Sequence, residues 1–160
     1  MDSLPRALHD RRMPDAPERS LAALVAVAEA RVDRLEPVAA WEEAERGALI
    51  IDVRSEVCRS RDGVVPGALH VPLTVFPWRL APDSAWRSTW APESSRRVIV
   101  LCDHGYSSVL AAAMLADLGF ARPADVVGGY EAWRASALPT RPGPPPEAAA
   151  LPGMGPPDPG

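Results

Sequence analysis

The sequence predicts an α/β domain in which a parallel sheet carries helices on both faces. Two nearly continuous apolar runs, Ala48-Leu49-Ile50-Ile51-Asp52-Val53 and Val98-Ile99-Val100-Leu101, lack the alternation of a strand wetted on one side, so both faces must be covered. Behind the second run, Leu110, Met114 and Leu118 recur at i, i+4 and i+8. Gly119 follows as a left-handed cap, completing a strand, loop, helix unit. With 160 residues and 47% apolar composition, one domain with one core is expected, since domains most often run to about 100 to 150 residues.

Four segments divide the chain. Residues 1–18 hold Pro5, Pro14 and Pro17 among mixed charges without an apolar period and read as a flexible leader. Residues 19–35 read as an N-terminal amphipathic helix. Leu21, Leu24, Val25, Val32 and Leu35 recur at helical spacing beside Glu29, Arg31, Asp33 and Arg34, a stripe better suited to docking on the domain than to a dimer seam. Pro37 ends it. Residues 36–138 form the α/β domain, opening with a short helix from Val38 to Glu45 that Gly47 closes before the first apolar strand. The connection from Pro72 to Arg96 contains Phe76, Trp78, Trp86 and Trp90, expected mainly in core packing and in part at the mouth of a pocket. Val126-Val127 form a last short strand, and Gly128-Gly129 turn into a helix in which Trp133 packs. Residues 139–160, rich in proline and glycine, cannot supply ladder hydrogen bonds and are expected to be a disordered tail.

Charge and cysteine usage exclude several functions. All 17 basic residues are arginine, yet the net charge is -4 and the pI about 5.4, whereas nucleic-acid binding needs a basic face. DNA and RNA are therefore not expected partners. No basic segment followed by an apolar stretch stands at Met1-Asp2-Ser3, and Leu21 to Ala28 is far short of the roughly 20 residues that span a bilayer. A cytoplasmic protein with no membrane partner is expected, with Cys58 and Cys102 as free thiols. His9, His70 and His104 and the cysteines show none of the paired spacings of zinc sites, and there is no phosphate-cradling glycine loop, so neither metal nor cofactor is expected.

Chemistry concentrates in Cys102-Asp103-His104-Gly105-Tyr106-Ser107. A thiol is a nucleophile only as the thiolate. Between a buried strand and a helix start, that form is met by converging N–H groups and by about half a positive elementary charge at the helix N-terminus. Gly105 lets the backbone curl, and Ser107 or Ser108 can cap the helix. Cys102 is therefore the candidate nucleophile.

These residues resemble the active loop of the rhodanese family, in which a cysteine closes a core strand, a glycine follows three positions on, and a helix starts at once. Asp52-Val53-Arg54 looks like the family's Asp-x-Arg element, and Gly63-Val64-Val65-Pro66-Gly67-Ala68-Leu69-His70-Val71-Pro72 like its Gly-x-x-Pro-Gly-Ala segment. Leu118-Gly119-Phe120 and Gly128-Gly129-Tyr130-Glu131-Ala132-Trp133 look like its closing elements, and the four blocks stand in family order across about residues 36 to 135. The resemblance, to single-domain thiosulfate sulfurtransferase-type members, implies a rhodanese-like parallel sheet with helices on both faces. It also implies a ping-pong sulfurtransferase in which Cys102 takes sulfane sulfur as a persulfide from thiosulfate, a low-molecular-weight persulfide or a protein persulfide partner. A thiol or cyanide-type acceptor then receives it. In the same way, Asp103, His104, Gly105, Tyr106 and Ser107 are implied as the anion cradle through their N–H groups, with Asp52 and Arg54 as loop support. A monomer or weak homodimer is expected.

The loop also departs from the family. Members that use thiosulfate commonly carry basic residues there, often an arginine at the place held by Ser107, whereas Asp103 here adjoins the cysteine. Asp103 disfavours the thiolate, while a protonated His104 favours it. Arg59 or Arg61, beside Cys58 in a helix or turn, can supply the missing charge in space. Phosphatases of this fold need an arginine six positions after the cysteine to clamp phosphate, and Ser108 stands there instead. The alternatives to catalysis are a rhodanese fold kept for binding and redox sensing by Cys102.

Overall fold

The computed structural model describes residues 20–145 and 151–160, so the leader expected over 1–18 lies outside the described residues. The elements run α1 (Leu21–Glu29), β1 (Asp33–Leu35), α2 (Pro37–Glu45), β2 (Leu49–Asp52), α3 (Glu56–Asp62) and β3 (Leu69–His70). After a 3-10 turn at Leu73–Val75 come α4 (Phe76–Leu80), β4 (Val98–Leu101), α5 (Ser107–Asp117), β5 (Pro123–Val126) and α6 (Gly129–Ala135). The strands form one parallel sheet in the order β1-β5-β4-β2-β3, with β4 at its centre.

The alternation missing from the sequence is explained by what covers the sheet. Leu49, Ile51, Val98 and Val100 face Phe76 and Leu80 of α4 and Ala111, Ala112 and Leu115 of α5. Ile50, Ile99 and Leu101 point the other way, against Ala40 of α2 and Tyr130 and Trp133 of α6. Trp41 meets the Trp133 ring edge-on with centroids 5.9 Å apart. Each position of β2 and β4 is thus buried, and each buried Leu or Ile contributes about 1.5 to 3 kcal/mol.

Three segments differ from the sequence expectation. The helix expected over 19–35 stops at Glu29, and Asp33–Leu35 pairs with Ala124–Val126 as an edge strand. Ser20 starts the helix by accepting the Ala23 N–H at 3.1 Å, and α1 docks on α5 through Val25, Ala28, Val109 and Ala113. Val32 and Leu35 fit the helical stripe only because an apolar residue every third or fourth position also suits a turn followed by a short strand. On α5 the stripe Leu110, Met114, Leu118 is its more exposed side, and Ser108, Ala111, Ala112 and Leu115 are buried. The helix is apolar nearly all round because α1 covers one flank and the sheet another. Trp78, Trp86 and Trp90 are half exposed or more, away from the core, while Phe76 is fully buried.

The third difference is the tail. Arg141 and Val64 exchange backbone hydrogen bonds of 2.8 and 2.9 Å, and Asp158 exchanges two more with Gly67 and Ala68 at 2.9 and 2.8 Å. The Asp158 carboxylate also receives two bonds from Arg59 Nη2, at 2.6 and 2.7 Å, and Arg79 Nε donates to Pro152 O at 2.8 Å. Composition argues against ladders and a core, but not against a proline-rich segment held at a few isolated points by backbone bonds and arginines. Asp158→Ala leaves the buried Arg59 short of a partner, and a stability loss of about 2 kcal/mol is expected. Denaturation against an Asp83→Ala control checks it, and equal stability of the two variants would mean that the tail contributes nothing.

Candidate active site

Cys102 follows the central strand at the carboxyl end of the sheet, where open α/β sheets place their ligands. It is 5% exposed, and Gly105 donates its N–H to Sγ at 3.0 Å. The start of α6 holds the loop from behind: the Tyr130 and Glu131 N–H groups donate to the carbonyls of Cys102 and Asp103 at 2.8 and 3.1 Å. Two glycines permit this approach. Gly105 sits at φ +80°, where a Cβ would lie 2.6 Å from Gly128 N, and a Cβ on Gly129 would lie 2.4 Å from the Cys102 carbonyl oxygen.

Burial pushes the Cys102 thiol up, but the Ser108 and Ser107 hydroxyls and the Ser108 and His104 N–H groups, which favour the ionised sulfur, together outweigh it. The thiol therefore sits below its ordinary value, as a nucleophile requires.

Neither serine caps α5. Tyr106 holds the N-cap position without a side-chain bond. Ser108 is instead fully buried between two partners: the Cys102 thiol donates to its Oγ at 3.3 Å, and its hydroxyl donates to Asp125 Oδ2 at 3.0 Å. Arg34 of β1 grips Asp125 by Nε at 3.0 Å and Nη2 at 3.2 Å, and the same Nη2 reaches the Gly105 carbonyl at 3.2 Å. Sequence reasoning missed Asp125 and Arg34 and saw Ser108 as a possible cap and as the place where a phosphatase arginine is missing, not as a partner of the sulfur. The available signal was a charged residue, Asp125, inside the apolar run from Ala124 to Val127, which demands a buried partner.

Asp52 and Arg54 form a buried pair beneath the loop. Arg54 Nε and Nη2 bond the Asp52 carboxylate at 3.0 and 2.8 Å, Nη2 also donates to Gly63 O at 2.8 Å, and the guanidinium lies 3.6 Å over the Tyr130 ring. His70 Nε2 bonds the Arg54 carbonyl at 2.9 Å, a structural role. Arg54 Nη1 has no hydrogen-bond partner among the described residues and lies 4.0 Å from Asp103 Oδ1. Arg59 does not supply the missing loop charge, because its guanidinium is bound to Asp52 and Asp158. Arg61 is paired with Asp62 in a neighbouring cleft that also contains Cys58, Asp103 and His104.

The cleft over Cys102 is lined by Val53, Arg54, Ser55, Asp103, His104, Tyr106 and Ser107, without the tryptophans of the 72–96 connection. Asp103 is one-third exposed, and exposed His104 points Nδ1 at Glu131 Oε2, 2.9 Å away. Tyr106 is 78% exposed beside His104, and Ser107 opens α5. Among the described residues no group of three or more His, Cys, Asp or Glu is placed to hold a metal, and no helix is long and apolar enough to cross a membrane.

This arrangement has known counterparts. The family model for the rhodanese-like domain matches residues 36–136, and the chain belongs to that family. A relative from Stutzerimonas stutzeri, a thiosulfate sulfurtransferase GlpE, is 32% identical over 101 residues, or 63% of this chain and 84% of that protein. A Rhodopseudomonas palustris protein of unknown function, described as a possible tyrosine phosphatase, superposes with a TM-score of 0.72 at 26% identity over 81% of this chain and 99% of its own. The polysulfide-sulfur transferase homodimer of Wolinella succinogenes shares the fold, with a TM-score of 0.61 at 24% identity over 75% of this chain and 85% of its own.

Gly105→Ala tests the loop geometry. The added Cβ meets Gly128 N, so the loop must shift, the N–H leaves Sγ, and the pH midpoint of Cys102 alkylation is expected to rise by about one unit. An unchanged midpoint in a folded variant would remove Gly105 from the cradle.

Proposed function

We propose that this protein is a sulfurtransferase that carries sulfane sulfur as a persulfide on Cys102. The thiolate attacks the outer sulfur of a donor, the new S–S bond forms, and the donor group leaves with the electron pair of the broken bond. An acceptor nucleophile then attacks the outer sulfur of the persulfide, and Cys102 departs as a thiolate, so the enzyme returns to its starting oxidation state. The observation that carries this reading is the buried sulfur held at 3.0 Å by the Gly105 N–H, with a thiol pulled below its ordinary value. The names of the GlpE relatives support the activity class. A reducing compartment such as the cytoplasm suits a nucleophile that must remain a free thiol.

The lining argues about the donor. Among the described residues Arg54 is the one arginine lining the cleft, and Asp103 stands opposite it. A dianion such as thiosulfate gains one guanidinium there and meets one carboxylate. Low-molecular-weight or protein persulfides, whose reacting S–S group carries at most one negative charge against two on thiosulfate, fit better. Phosphate transfer is disfavoured more strongly: where a phosphatase needs a guanidinium, Ser108 leads to the buried carboxylate of Asp125.

The test is intact-mass analysis after incubation with glutathione persulfide or thiosulfate. Wild type should gain one sulfur atom that a thiol acceptor removes, faster from the persulfide than from thiosulfate, and Cys102→Ser should gain none. Failure of both donors to load wild type would sink the reading in favour of a binding module. Sulfenic acid forming ahead of persulfide would favour a redox sensor.

A further inference from the structure

The hydroxyl of Ser108 has one hydrogen and two places to put it. In the structure that hydrogen is given to Asp125 Oδ2 at 3.0 Å, while the Cys102 thiol donates to Ser108 Oγ at 3.3 Å. Both Ser108 and Asp125 are fully buried, so no water competes for either position. Once sulfur is ionised it no longer donates, and the Ser108 hydrogen can rotate about the Cβ–Oγ bond to meet it. Asp125 tolerates the loss because Arg34 still gives it two N–H bonds, at 3.0 and 3.2 Å.

We propose that Ser108 is a hydrogen-bond switch for the sulfur of Cys102, and that Asp125, clamped by Arg34, sets its resting position. Ser108 is the residue that touches the reacting atom; Asp125 and Arg34 act through it as positioning residues. The inference rests on the persulfide reading for its role in turnover. In the persulfide, Sγ is bonded to a second sulfur and carries little charge, so the hydroxyl rests on Asp125. When the acceptor attacks the outer sulfur, the S–S bond breaks, its electron pair goes to Sγ, and the hydroxyl turns to the developing thiolate. No proton leaves Ser108; only its hydrogen bond changes acceptor. A bond made only as charge develops lowers the barrier without stabilising the resting state. Arg34 couples the two halves of the site, because the nitrogen that bonds Asp125 also bonds the Gly105 carbonyl behind the cradle.

The switch predicts opposite effects from two substitutions in one hydrogen-bonded chain. Ser108→Ala removes the donor to the thiolate. Asp125→Asn keeps the shape but removes the anion that holds the hydroxyl away from sulfur. Iodoacetamide alkylation of Cys102 is followed against pH in a Cys58→Ser background, which leaves Cys102 as the single thiol. Ser108→Ala should raise the midpoint by about one pH unit and Asp125→Asn should lower it by about half a unit or more, with Ser108→Thr restoring the wild-type value. The other charged or titratable groups around the loop, Arg54, Asp103, His104, Glu131 and Arg34, stay in place in all these variants. Once loaded, Ser108→Ala should also release sulfur to a thiol acceptor about tenfold more slowly than wild type.

Removing the Asp125 charge lowers the midpoint through space even without a switch, so the double variant decides: with Ser108→Ala in place, Asp125→Asn should lose at least half of its downward shift, and full retention of that shift, or single-variant shifts in the same direction or of zero size, overturns the proposal. Ser108→Ala deletes one buried oxygen and no backbone bond, so it carries the test alone if Asp125→Asn does not fold. Alkylation needs no sulfur donor. Opposite midpoint shifts, coupled in the double variant, in a protein that takes up no sulfur would therefore uphold the switch and overturn the persulfide reading, whereas sulfur uptake with unshifted midpoints would do the reverse.

Discussion

The Asp52 carboxylate at the carboxyl end of β2 is the constraint around which the rest of this site is arranged. It is fully buried and shared by two guanidinium groups, Arg54 and Arg59. A buried carboxylate with one cation already needs good geometry to offset its desolvation; one with two leaves positive charge over. The structure places that excess in two ways. Arg59 receives a second carboxylate from Asp158 at the far end of the chain, and Arg54 lies on the Tyr130 ring with one nitrogen turned toward Asp103. Strand end, helix α3, tail, α6 and active loop thus meet through one charge network.

A second network stands on the other side of Cys102 and works differently. Arg34, Asp125 and Ser108 carry one cation and one anion to within a single hydroxyl of the sulfur. The first network reaches the cleft over Cys102 through Arg54. The second lies behind the sulfur, with Ser108 and Asp125 fully buried and only the outer end, Arg34, reaching solvent, where it also meets Glu29. An arginine-poor loop is less puzzling in this setting: the cationic groups of this family member lie beneath and behind the loop, and the sulfur is met by N–H and O–H donors. Such donors stabilise a developing thiolate without a full positive charge that would hold an anionic donor or product in the cleft.

The fold was largely legible in the sequence because the physics that produces it is local. Strands covered on both faces must read as unbroken apolar runs, and β2 and β4 do. A cysteine between such a run and a helix start must lie at the carboxyl edge of the sheet, and Gly105 and Gly129 mark backbone approaches that no side chain allows. The boundaries were less legible. Val32 and Leu35 satisfy a helical period as well as the turn and edge strand they form, and pairing with β5 decides between them.

The sequence by itself determined the α/β class, the candidate nucleophile and the loop that presents it, since each follows from residue type and spacing along one short stretch. The partners of that nucleophile were decided only by the tertiary structure. Arg34, Asp125 and Ser108 are separated by up to 91 residues, and Asp158 reaches Arg59 across 99. A charged residue in an apolar strand announces that it must have a partner. Only folding, by bringing β1 beside β5 and the tail across α3, determines which partner satisfies it and which way the hydrogens point.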